Sequence, residues 1–214
     1  MEALRGLAEA TQGAGRLAVM PSDAESTYRQ VAALHAENID QGFLATLGVP
    51  FLALMYRAID EAADSFLLVE ERDGRVIGFI SGGMGMWPIY RRMLRKPVAL
   101  GLTLLPSIVK PARIKRILDI LRYGRNESTA QLPRAELLSL AVALDARGSG
   151  VAERLYHRLA TYFEEAGEGA FKITVGDALA RAHRFYIRMG AVPAGRVEVH
   201  EGQGSILYVH TFVE

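Results

Sequence analysis

No cysteine occurs in the 214 residues of this chain, which excludes disulfides, thiolate nucleophiles and thiolate metal ligands and fits a reducing compartment. Long apolar runs are missing as well. The longest candidate, 97–109, is too short to cross a bilayer and contains Pro106. The opening stretch MEALRGLAEATQGAGR has no apolar core flanked by basic residues, so it does not read as a secretion signal. These absences point to a soluble, cytoplasmic protein. The histidines, His35, His157, His183, His200 and His210, lack metal-ligand spacing, and no metal is expected. There is no internal repeat and no low-complexity tract.

What is present is ordinary in amount and uneven in placement. Half of the residues are hydrophobic and 23% are charged, and the chain is long enough to bury most of its apolar surface around one core. One domain over 16–214, preceded by a flexible tail at 1–15, is expected. Between Pro88 and Arg134 stand eleven lysines and arginines against two acids, Asp119 and Glu127, although the whole chain carries only +1. Such asymmetry suggests one face that meets anions. Within this segment 111–123 places Ile114, Ile117, Leu118 and Leu121 on one helical face, with Arg113, Lys115, Arg116 and Arg122 mostly turned elsewhere. It reads as a basic helical insertion at about 88–134. Its basic residues are not interleaved with aromatic ones, which argues against nucleic acid. Contact with a membrane surface, and a cover over a homodimer interface, stand beside anion capture as readings of this segment.

Punctuation and periodicity predict the remaining elements. An edge strand is expected at 16–20. Pro21-Ser22-Asp23 turns into a helix with Tyr28, Val31, Leu34 and His35 at helical spacing. A second apolar helix runs over 43–59 and should start or kink at Pro50. Arg72-Asp73-Gly74 between two apolar runs is a hairpin signal, and Gly82-Gly83-Met84-Gly85 ends the second strand. After Pro133 the order is strand (136–144), glycine turn, helix (151–165), strand (171–175), helix (178–189, with His183 on its surface), then short strands near 196–200 and 206–212. The layout is mixed α/β, with hairpins at both ends of a β-α-β-α core.

The glycine turn carries the chemistry. A strand, two glycines and the start of a helix make a site for phosphate, because the first helix amides have no internal partners and the helix dipole adds partial positive charge. A nucleotide-triphosphate loop needs Gly-Lys-Ser/Thr, but Gly150 precedes Val151-Ala152. The dinucleotide fingerprint needs a small residue where Glu153 stands. Arg147-Gly148-Ser149-Gly150-Val151-Ala152 does match Arg/Gln-x-x-Gly-x-Gly/Ala, and so resembles the acetyl-CoA pyrophosphate motif of the GCN5-related N-acetyltransferase (GNAT) superfamily. The strand sequence Ala135 to Val142 and the pattern Ala182-x-x-x-Tyr186-x-x-x-Gly190 resemble the family's flanking elements in the same order.

The resemblance implies a mostly antiparallel mixed sheet with splayed central strands flanked by helices, and acetyl-CoA as co-substrate. The pantetheine arm would lie along Leu140, Ala141 and Val142, as an added strand does. The amides of Gly148, Ser149, Gly150, Val151 and Ala152 would hold the pyrophosphate, with Arg147 at its edge. Tyr186 matches the family's tyrosine that protonates the departing thiolate. Glu136 occupies the place of the general-base glutamate of the histone-acetylating branch, and strict alternation puts it on one face with Leu138 and Leu140. Leu179 stands where the family often has Asn, and Asp177 where a helix N-cap is expected. The implied function is N-acetyl transfer from acetyl-CoA to an amine, and the charge of the 88–134 segment points to a small, anionic acceptor. The alternative is a non-catalytic acyl-CoA-binding sensor or scaffold. Ser139 lies on the face opposite Glu136 and no His or Asp is expected to form a triad with it, so a serine hydrolase is unsupported.

Overall fold

Residues 21–39, 44–108, 132–200 and 203–212 are described by the structure, a computed structural model. The strand expected at 16–20 and the helix expected at 111–123 lie outside the described residues.

Helix α1 (Pro21–Asn38) buries Tyr28, Val31, Leu34 and His35, the residues whose spacing predicts it. Gly48 takes φ 87°, ending a short 3-10 turn (Leu44–Leu47) and letting α2 (Val49–Glu61) begin with Pro50 in its first turn, where a missing N–H is harmless. Pro50 therefore starts a helix and kinks none. Strands β1 (Ser65–Arg72) and β2 (Arg75–Gly83) are joined by Asp73 (φ 53°) and Gly74 (φ 75°), the two-residue turn whose twist suits an antiparallel pair. Helices α3 (Trp87–Leu94) and α4 (Pro97–Ile108) fill the first part of the expected insertion. Val98 and Leu102 of α4 are exposed, and no described helix is long and apolar enough to cross a membrane.

Strand β3 (Glu136–Val142) stops short of its predicted end because Leu144–Ala146 coil into a 3-10 turn. Then come α5 (Val151–Glu165), β4 (Ala170–Gly176), α6 (Ala180–Arg188) and the final hairpin of β5 (Val192–His200) and β6 (Gln203–Thr211). Among the described residues six strands order as β1-β2-β3-β4-β6-β5, with β3–β4 the one parallel pair.

Helices cover both faces of the sheet. Helix α5 lies so close over β2 that a Cβ at Gly78 would stand 2.5 Å from Val151 Cγ1. On the opposite face Tyr56 of α2 meets Phe79 of β2 with ring centroids 5.1 Å apart. Helix α6 shares the α5 face, where Tyr186 faces Tyr156 at 6.1 Å and Tyr208 of β6 at 6.5 Å. The chemistry expected from the sequence thus falls where β3, β4 and α5 meet.

Candidate active site

Strands β3 and β4 touch only at Glu136↔Lys172 and Leu137↔Ile173. Two features part them. All seven residues of β4 pair with β6, which draws the strand away. On its other side β3 pairs Leu137 with Gly82 but Ser139 with Ser81, leaving Leu138 as a bulge with no opposite on β2. The result is a wedge open along one edge of β3. Which backbone groups line it follows from alternation: Ala143 N–H donates to Ile77 O at 2.9 Å, so Ala141 and Ser139 also turn towards β2, and Leu140 and Val142 turn their N–H and C=O into the wedge. Of the three residues expected along an added strand, Ala141 is therefore the exception. Its backbone is committed to β2 and its side chain is buried.

The wedge leads to the glycine turn. Gly148 and Gly150 both take φ 79°, a conformation that L side chains rarely adopt. Gly150 is the N-cap of α5 and supplies no side chain to its first turn. Among the described residues the amides of Gly148, Gly150, Val151 and Ala152 have no backbone acceptor, while Ser149 N–H reaches Ala146 O at 3.4 Å. Arg154 braces the turn from behind: its guanidinium donates to Ser149 O at 3.0 Å and to Glu70 of β1 at 3.2 Å. Four amides at a helix start, held open by a fixed brace, form a cradle for an anion. Arg147 is aimed elsewhere. It donates to Val142 O at 3.3 Å and to Asn38 Oδ1 of α1 at 2.6 Å, so it lies across the end of the wedge.

Tyr186 and Glu136 stand on opposite faces of the sheet. Tyr186 is buried on the α5 face among Tyr156, Phe185 and Tyr208, and its hydroxyl makes no hydrogen bond among the described residues. Burial pushes that hydroxyl's pKa up, so it keeps its proton at neutral pH. Glu136 pairs with Gly83 and lies on the α1/α2 face. This corrects the alternation argument. The Leu138 bulge intervenes, so Glu136 shares its face with Ser139 and not with Leu140. Its carboxylate is largely enclosed and sits 3.6 Å from Lys172 Nζ.

This arrangement, a sheet splayed at its parallel pair with a glycine turn at the head of the next helix, coincides with a match of residues 36–191 to the family model described as the Acetyltransferase (GNAT) family. The chain belongs to the GNAT family. Solved GNAT structures resemble it throughout. An N-acetyltransferase from Staphylococcus aureus Mu50 is 13% identical, with 87% of this chain and 93% of that one aligned at a TM-score of 0.56. A ribosomal-protein-alanine N-acetyltransferase from Brucella melitensis is 15% identical over 88% and 96%, TM-score 0.55. A GNAT-family acetyltransferase from Desulfovibrio desulfuricans is 15% identical over 90% and 94%, TM-score 0.53. At such identities the likeness shows the fold alone. No curated protein matches the chain.

Within the GNAT frame several sequence expectations need correcting. His183 is no surface residue: it is half-buried, with Nδ1 2.8 Å from Tyr208 Oη and Nε2 3.1 Å from Gly176 O, and it ties α6 to the end of β4 and to β6. Asp177 caps no helix, because α6 begins at an N-cap of Leu179 and Asp177 is paired with Arg196. Ser139 forms no triad with a histidine, as expected, but it joins a chain of hydroxyls that ends at one. Its Oγ lies 3.0 Å from Tyr56 Oη and 2.6 Å from Ser81 Oγ, and Tyr56 Oη lies 2.5 Å from His35 Nδ1. The one sequence signal for this group was a lone serine inside each of two apolar runs, FISGG and LLSLAV. No cluster of three or more metal-binding side chains occurs among the described residues.

Proposed function

We propose that this GNAT chain is an acyl-CoA-dependent N-acyltransferase that moves acetyl from acetyl-CoA to the amine of a small, anionic acceptor by direct attack, acting in the cytoplasm as one domain with a basic insertion. The observation that carries it is the wedge between β3 and β4, which runs to four partnerless amides at the start of α5. A pyrophosphate fits those amides, with Ser149 completing the cradle. An extended pantetheine arm fits the wedge-facing groups of Leu140 and Val142 as an added strand, with Ala141 packing behind. Arg147 leaves Val142 O and turns to the phosphates when the arm enters.

Bound there, acetyl-CoA supplies an electrophilic thioester carbonyl and a thiolate leaving group. The residues then divide the work by face. A wedge-facing amide of β3, at Leu140, donates to the carbonyl oxygen as negative charge develops on it. Tyr186, on the α5 face, gives its proton to the departing sulfur, a role suited to a phenol that burial keeps protonated. Glu136, on the α1/α2 face, takes the proton that the amine sheds.

Thiol release from acetyl-CoA with a panel of amines tests the reading. Tyr186→Phe is expected to lower kcat by about 100-fold or more, within the usual range for general acids, while leaving CoA affinity unchanged. A non-catalytic binding module is the second reading, favoured by Leu179 standing exposed where the family often carries Asn. CoA binding without turnover of any amine would establish that module.

A further inference from the structure

The polar chain on the α1/α2 face has no part in the reading so far. His35, Tyr56 and Ser81 are buried at 6%, 0% and 0% exposure, between the helices and the sheet. Burying so many polar groups costs free energy unless each is hydrogen-bonded, and the chain is continuous: His35 Nδ1 to Tyr56 Oη 2.5 Å, Tyr56 Oη to Ser139 Oγ 3.0 Å, Ser139 Oγ to Ser81 Oγ 2.6 Å. Ser139 alone is only half-buried. It also sits where the sheet opens, two positions past Leu137, the last β3 residue that pairs with β4, and on the same face as Glu136.

We infer that the Ser139 hydroxyl holds the acceptor's amine beside the thioester, and that Tyr56 and His35 position that hydroxyl through their hydrogen bonds. This rests on the acyltransfer reading above. The balance of donors and acceptors gives Ser139 its role. With the protons running one way along the chain, in either direction, Ser139 donates one bond and accepts one, and its oxygen retains one lone pair for an N–H from outside. Burial lowers the pKa of His35 to about 4, so the ring is neutral at pH 7 and able to accept. The lone pair at Ser139 selects a donor. A neutral amine offers one N–H to Ser139 and a second to Glu136, and aims its own lone pair at the carbonyl. As the nitrogen gains positive charge during attack its N–H groups become stronger donors, so the contact tightens in the transition state and acts on kcat. Ser139 is thereby a catalytic residue, and Tyr56 and His35 are positioning residues.

The test uses acetyl-CoA with glucosamine 6-phosphate, spermidine, L-lysine and a peptide with an N-terminal alanine as probes. With whichever amine the wild type turns over best, Ser139→Ala should lower kcat by ~10- to 100-fold, the span of one hydrogen bond to a charged group. Ser139→Thr, which keeps the hydroxyl, should recover most of the loss. Tyr56→Phe should fall in the same direction, and Tyr56→Phe combined with Ser139→Ala should be no slower than Ser139→Ala alone, because Tyr56 acts through the group already removed. CoA affinity should stay at its wild-type value throughout, while Tyr56→Phe, which strips a buried partner from both His35 and Ser139, should lower the melting temperature. Wild-type kcat and acceptor KM in Ser139→Ala would overturn the inference while leaving the acyltransfer reading intact. Losses that multiply in the double variant would overturn the positioning role of Tyr56. Should Ser139→Ala fail to fold, a Tyr56→Phe enzyme with wild-type kcat would be equally decisive against the inference. A wild type that binds CoA and turns over none of the amines overturns the proposed function, and the inference with it.

Discussion

His35 and Glu61 respond to acid in separate windows, and each reports on its surroundings. Burial lowers the pKa of His35 from 6.5 to about 4. The unfolded chain thus takes up a proton near pH 6.5 that the folded chain refuses until near pH 4. Stability from this group is complete above pH 6.5 and falls as pH drops through that window, by about 3 kcal/mol when the shift is converted by linkage. Urea unfolding at pH 7, 5.5 and 4.5 should show this slope, and His35→Gln should flatten it. An unchanged slope in the variant would mean that His35 is solvated. For Glu61 burial acts to raise the pKa, but hydrogen bonds from Arg57, Lys96 and Arg92 outweigh it and hold the carboxyl at about 2, below its ordinary 4.5. Its contribution is complete above pH 4.5 and is lost only as pH falls towards 2. Unfolding between pH 4 and 2 should therefore lose a component that Glu61→Gln lacks already.

Among the elements, α5 was the easiest to read and the β3 bulge the hardest. Helix α5 announces itself locally, through two glycines at its head and an apolar stripe of Leu155, Leu159 and Phe163 along its length. The Asp73-Gly74 hairpin is equally local. The bulge at Leu138 depends on how β2 registers against β3, a partner more than fifty residues away, and no pattern within LLSLAV announces it. Missing it put Glu136 on the wrong face. The Ser139 chain was hidden for the same reason, since its hydrogen bonds span 21, 83 and 58 residues of sequence. The placement of α5 on β2 also makes a prediction. A methyl at Gly78 would strike Val151 Cγ1, the first residue of the helix, and that side chain is too stiff to swing aside. Gly78→Ala should cost about 1–3 kcal/mol in urea unfolding, the usual penalty for overpacking, and should weaken CoA binding by shifting the amides at the start of α5. Calorimetry with CoA checks the second half. Full affinity in a destabilised variant would separate the cradle from the packing beneath it.

At the scale of the whole molecule the open question is where the positive charge goes. Of the eleven basic residues between Pro88 and Arg134, Arg92 and Lys96 are held by Glu61 of α2 at 3.2 and 3.1 Å, and Arg57 shares the same carboxylate at 2.7 Å. Those two bind α3 to α2 and have little field left for a ligand. In the proposed function, steering of an anionic acceptor would fall to the others, including Arg113 and Arg116, which lie outside the described residues. Reversing both, as Arg113→Glu with Arg116→Glu, should raise KM several-fold for glucosamine 6-phosphate and leave KM for a neutral amine such as glucosamine, measured above its pKa, unchanged. Added salt should erase the difference, because the screening length shrinks from about 10 Å at 0.1 M to about 3 Å at 1 M. The donor is also an anion, so CoA affinity must be measured separately in the same buffers. An acceptor KM that the reversal leaves untouched at low salt would remove steering as the purpose of this segment and favour a surface that covers another copy of the chain.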